Sequence, residues 1–140
     1  MKEDLLEGFF NRRDIKKHES DIKKEYKKPY IDHSKLRDMQ SHNKHLHNIE
    51  YEERMAKVEK LEDKLNKLQH KKDIISTLRR YNTYDNIERN LKKANEHKHK
   101  MIQADQSVNY HHDRCTQQDK ARIFSAEFER SHQGNNHYAD

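Results

Sequence analysis

Residues 51 to 108, YEERMAKVEKLEDKLNKLQHKKDIISTLRRYNTYDNIERNLKKANEHKHKMIQADQSV, carry the longest apolar periodicity in the chain and contain neither glycine nor proline. In the first half Val58, Leu61, Leu65 and Leu68 fall at intervals of three, four and three, and Ile75 arrives one heptad after Leu68. This is the spacing of a coiled-coil seam. In the second half Tyr84, Ile87, Leu91, Ala94, Met101 and Val108 continue the alternation, with Lys98 and Asp105 at two seam positions. Between the halves, Leu78, Tyr81 and Tyr84 follow Ile75 in three-residue steps, which break the heptad frame. The pattern places a hinge at 81–84. Asp85, with Glu88 three residues later, reads either as a capping box that restarts a helix or as a surface residue on one uninterrupted helix.

Composition restricts what surrounds this stretch. Of 140 residues 30% are hydrophobic and 39% charged, against about 45–50% and about a quarter in ordinary globular domains. A core large enough to offset the ordering entropy of the whole chain is not expected, which leaves disorder, extended helix or folding against a partner. Two glycines and one proline decide for helix, since disordered linkers are usually rich in such residues. The net charge of +5 is spread with mixed signs and forms no basic arm of the kind that coats nucleic acid. One cysteine, Cys115, excludes an intrachain disulfide and points to a reducing compartment, the cytoplasm. No run approaches the roughly 20 apolar residues of a membrane span, and the acidic start at Glu3 and Asp4 argues against a secretory signal.

Taken in order, the chain opens on its densest apolar cluster, Leu5, Leu6, Phe9 and Phe10, paired at helical spacing. It reads as an anchor for a partner's groove or as a helix folded back on the main seam. Asp14-Ile15-Lys16-Lys17 recurs seven residues later as Asp21-Ile22-Lys23-Lys24, which sets Ile15 and Ile22 on one stripe of a helix that needs a neighbour. Pro29 ends this helix, and Ser34 is the expected N-cap of the next. An unbroken helix from Lys35 to Val108 would be a rod of roughly 110 Å. Near the end, Phe124 and Phe128 share a face as a second aromatic anchor, and Ser131 to Asp140 reads as a tail.

The expectation is therefore an all-α fold, extended and non-globular, of long helices with a coiled-coil-like central segment and short linkers. Its parts are an N-terminal anchor and heptad-repeat helix over 1–28, a linker over 29–34, a long central helix over 35–114 and an aromatic anchor and tail over 115–140.

Chemistry-bearing residues are numerous but do not converge in sequence. His42, His45 and His47, then His97 and His99, then His111, His112 and Cys115 are close enough to test for a metal. A structural zinc site wants four ligands, usually paired from two elements, and nothing supplies the second half. We read these histidines as polar surface residues. Cys115 has His111 and His112 nearby but no pocket-forming fold, Gly8 and Gly134 build no phosphate loop, and carboxylate neighbours such as Glu62 and Asp63 diverge on a helix. No enzyme activity, metal or cofactor is expected. Aromatics among lysines suggest stacking on RNA, but no segment has strand period.

Arg122-Ile123-Phe124-Ser125-Ala126-Glu127-Phe128-Glu129 places a basic residue before two bulky apolar residues, with glutamates after. With the long mixed-charge helix and the aromatic anchors near both ends, it resembles the small filamentous proteins of ciliary doublet microtubules. The resemblance implies a structural protein of the cytoskeleton, a microtubule inner protein of the axoneme of cilia or flagella. Its partners would be tubulin and neighbouring filamentous helical proteins, with no membrane. On this reading Leu5, Leu6, Phe9, Phe10, Phe124 and Phe128 are anchors, and Val58, Leu61, Leu65, Leu68 and Ile75 are the helix-packing face. The alternatives are a basic helical RNA-binding or ribosome-associated protein, or a peripheral subunit of an organellar complex.

Overall fold

The computed structural model describes the backbone from Lys2 to Tyr138 and the side chains from Asn11 to Ser131. Three helices and no strand occur among these residues: α1, Lys2–Tyr26; α2, His33–Leu68; and α3, Ile74–Tyr138. The chain is all-α. At 36 and 65 residues, α2 and α3 extend roughly 54 Å and roughly 100 Å.

The expected rod over 35–114 is replaced by a hairpin, because the chain reverses between Leu68 and Ile74. Arg80 reaches Leu68, Arg54 reaches Asn90, His47 reaches His97 and His33 reaches His111, so α2 and α3 run antiparallel. No glycine stands in the reversal, and no described residue has positive φ. Polar groups at the two helix ends make it instead. Asp73 accepts from the Ser76 amide at 3.0 Å through its carboxylate, and its carbonyl accepts from the Thr77 amide and hydroxyl, each at 3.0 Å. Arg80 donates to the carbonyls of Leu68 and Gln69, both at 3.2 Å, where α2 leaves acceptors without helical partners. The hydrogen bonds from Ser76 hold the Asp73 carboxyl below its usual range.

Replacing Arg80 with methionine removes the cation and both hydrogen bonds while keeping an unbranched stem. A loss of about 1–3 kcal/mol is expected, measured by urea unfolding followed by circular dichroism.

Burial explains why the hairpin forms. Val58, Leu65 and Ile87 make one buried cluster, joined by Leu61 and Leu91, each side chain worth about 1.5–3 kcal/mol when fully removed from water. A rod would leave all of them exposed. Of the seam residues, Val58, Leu61 and Leu65 thus pack with Ile87 and Leu91 of the chain's own α3 and Leu68 is buried, while Ile75 is 62% exposed. No break occurs at 81–84: α3 runs through, and Asp85 is an exposed residue in its interior. The N-cap of α2 is Asp32, two residues before the expected Ser34, accepting from the Lys35 amide at 3.1 Å.

The α1 helix ends at Tyr26, three residues before Pro29, and lies antiparallel to the first half of α2, with Asn11 beside Glu50 and His18 beside Met39. Among its described side chains the buried apolar residues are Ile15 and Ile22, the stripe of the heptad repeat. The helix α3 continues beside the start of α2, where Cys115, Asp119 and Arg122 line a shallow pocket with His33 and Arg37, and extends to Tyr138. The region read as a tail from Ser131 is helical to Tyr138.

Candidate functional site

The α2–α3 interface has two halves of different chemistry. Toward the turn it is apolar, and toward the open end, where α1 also packs, buried polar side chains are interleaved with Leu36, Leu46, Ala94 and Ala104. The buried or half-buried positions of α3 explain this. Twelve of them form two interleaved series with steps of seven: Ser76, Thr83, Asn90, His97, Ala104 and His111, and Arg80, Ile87, Ala94, Met101, Val108 and Cys115; Thr77, Leu91, Asp105, Ser107 and Ala126 are half-buried beside these. The expected seam shared Ile87, Ala94, Met101 and Val108 with this face but used Tyr84, Leu91, Lys98 and Asp105 for its other positions. Each stands one residue beyond the observed one. The helix is rotated so that small and polar side chains face α2, because the facing positions of α2 are themselves polar: His33, Gln40, His47 and Arg54.

Two imidazole pairs organise the polar half. His47 and His97 meet Nδ1 to Nδ1 at 2.8 Å, and His33 and His111 do the same at 2.8 Å. The two pairs stand two heptads apart on each helix, from 33 to 47 and from 97 to 111. One ring in each pair is held on its other nitrogen by α1. Glu19 lies 2.8 Å from His47 Nε2, and the Tyr26 hydroxyl 2.6 Å from His111 Nε2.

At the first pair the contacts determine the protons. Ionised Glu19 only accepts, so neutral His47 carries its proton on Nε2 and accepts on Nδ1 from the Nδ1–H of His97. At the second pair Gln40 donates to the Tyr26 oxygen at 3.4 Å, and the Tyr26 hydroxyl pairs with His111 Nε2. His111 and His33 share one proton between their Nδ1 atoms. Burial first, and then the neighbouring His47, lower the pKa of His97 below the ordinary imidazole value. Burial and then His33 do the same for His111. His33, His47 and His111 are buried, contrary to the reading of the histidines as surface residues. The two-heptad spacing on two helices was the sequence signal for them.

A cleft of about 240 Å³ lies between the two pairs where the three helices meet, lined by Ile22, Gln40, Asn43, Lys100 and Ala104 among others. The Asn43 amide oxygen is buried without a hydrogen-bond partner. Beside the first pair, Asn11 donates to the fully buried Glu50 at 3.0 Å and to the Leu46 carbonyl at 3.3 Å. One oxygen of Glu50 and the Arg54 Nε are buried and unpartnered. Among the described residues no three His, Cys, Asp or Glu side chains are grouped to hold a metal ion, and no helix is long and apolar enough to cross a membrane.

Outside the interface, large apolar side chains are exposed at both ends of α3. Ile74, Ile75, Leu78 and Tyr81 are at the start, and Ile123 and Phe124 lie past the end of its packing on α2. Phe124 is 70% and Phe128 54% exposed. The expected anchors Leu5, Leu6, Phe9 and Phe10 lie outside the residues whose side chains are described.

Compared with known proteins, the chain matches no family model, no curated protein and no solved structure.

Proposed function

We propose that this chain is a structural, non-catalytic helical component of a large cytoskeletal assembly, bound to the microtubule lattice of cilia or flagella. One observation carries the docking role. The middle of α3 packs on α2, whereas its two ends present exposed apolar side chains from Ile74 to Tyr81 and at Ile123 and Phe124. Apolar side chains spaced on helix faces suit shallow grooves on partner proteins. The microtubule address rests on the resemblance of residues 122–129 to filamentous ciliary proteins, and tubulin's acidic surface would suit a chain of net charge +5. The same charge favours RNA as the alternative partner, and the experiment separates the two.

A tagged chain in ciliated cells is expected to stay with axonemes through detergent and high salt, and to resist nuclease. Ile123→Asp with Phe124→Asp should reduce retention severalfold without loss of helix content, since both side chains are exposed. Release by nuclease, or with ribosomes, would replace this reading by the RNA-bound one.

A further inference from the structure

The α2–α3 interface is held very differently on the two sides of the layer in which Arg54 donates to Asn90 at 3.1 Å. Toward the turn lie Val58, Leu61, Leu65, Ile87 and Leu91. Toward the open end the fully packed apolar residues of α3 are Ala94 and Ala104, each contributing a single methyl group. Met101 and Val108 are only half-buried there, and the polar ties to α2 are the two imidazole pairs and the Lys44–Asp105 ion pair at 2.8 Å. Lys44 and Asp105 are about half exposed, and such pairs contribute little.

Each imidazole pair accommodates one added proton but not two. A first proton converts the contact to an imidazolium–imidazole bond, once the acceptor ring holds its own proton on Nε2. A second sets N–H against N–H and leaves two cations 2.8 Å apart in layers partly or wholly removed from water. The charged groups acting on His97 are His47, Glu50 and Arg54 of α2 and Glu96 of its own helix, with Glu19 of α1 reaching it through His47. His47 and Arg54 oppose a further positive charge, and Glu50 and Glu96 favour it. His111 faces His33 of α2 and Tyr26 of α1, with Tyr110 of its own helix against the ring, and none of these is a carboxylate.

We infer that protonation of the two imidazole pairs separates the outer part of α3 from α1 and α2, pivoting about the Arg54–Asn90 layer, while the apolar cluster keeps the turn end closed. This is a property of the hairpin itself and stands whichever assembly the chain joins. The sign follows from burial. An imidazole whose folded pKa is lowered binds its proton more weakly folded than unfolded. Its stabilisation is complete above the ordinary pKa of about 6.5 and is lost as pH falls through the folded value. Ordinary carboxylates titrate near pH 4, so the opening precedes general acid unfolding.

The test places two label pairs in the full chain carrying Cys115→Ser. Ser41→Cys with Gln106→Cys reports the open end, and Lys64→Cys with Asn82→Cys the turn end, all four positions being exposed. Inter-label distances are measured by pulsed electron resonance between pH about 7.5 and about 5. The open-end distance is expected to lengthen below pH about 6.5 while the turn-end distance holds. His97→Asn with His111→Asn should suppress most of that lengthening. The inference is overturned if the two distances lengthen together, if the open-end distance is unchanged at pH about 5, or if the folded double variant still opens. Should that variant lose its helix content at neutral pH, the comparison of the two label pairs with all histidines intact decides alone.

Discussion

Leu65→Ala is expected to lower stability by about 2–4 kcal/mol, and Ile75→Ala to change it by less than about 0.5 kcal/mol. In sequence the two leucine and isoleucine positions belong to one seam, and a rod paired with a second chain would lose comparably at both. In the hairpin they are unlike: Leu65 is 9% exposed within the cluster of Val58 and Ile87, whereas Ile75 is 62% exposed. Truncating Leu65 removes transfer energy and leaves a void that the facing α3 closes only in part. Urea unfolding of the two variants, followed by circular dichroism, measures the contrast. Equal losses would mean that the seam is used as one continuous face.

The second large effect falls at Asn11. Its amide is the donor to Glu50, a carboxylate with no exposure, whose other oxygen is already unpartnered. Asn11→Leu leaves that carboxylate and the Leu46 carbonyl without the donor, at an expected cost of about 3 kcal/mol. Glu50→Leu in the same chain should recover much of the loss, because removing both partners costs far less than stranding one. A double-mutant cycle in thermal or urea unfolding gives the coupling directly. Additive losses would place the energy of α1 docking in Ile15 and Ile22 and not in this polar contact.

The helical class was legible from the scarcity of glycine and proline together with the apolar spacing of Val58 to Leu68. The reversal was less so, because its signals are polar. Asp73 followed by Ser76, and an arginine placed to reach back to Leu68, mark two helix ends without a glycine, and an apolar seam that continues in register from Leu68 to Ile75 obscures them. The hinge expected at 81–84 came from the apolar residues Leu78, Tyr81 and Tyr84, all of which are exposed and do not belong to the packed face.

The polar interface was hidden for a related reason. A search for apolar periodicity assigns Tyr84 to the buried face of α3 and passes over Thr83 one residue earlier, and it finds the half-buried Leu91 but not the half-buried Asn90 beside it. Only the pairing with α2 decides between these phases, and that pairing is set by residues more than thirty positions away, such as Arg54 for Asn90. The imidazole pairs were visible as histidines but not as pairs. Their partners lie 50 and 78 positions apart in the chain. The spacing of two heptads on each helix connects them only when the helices are known to run antiparallel.

The uninterrupted run of α3 gives the molecule a mechanical property. The apolar cluster grips this helix near Ile87, while Phe124 stands 37 residues farther along, roughly 55 Å away on a straight helix. A helix of that length without proline transmits rotation as a stiff arm, so a tilt of about 10° at the gripped end sweeps the far end through about 10 Å. On the opening inferred above, the fulcrum and the exposed aromatic end thus sit on one lever, held against α2 at His97 and His111 until those contacts part.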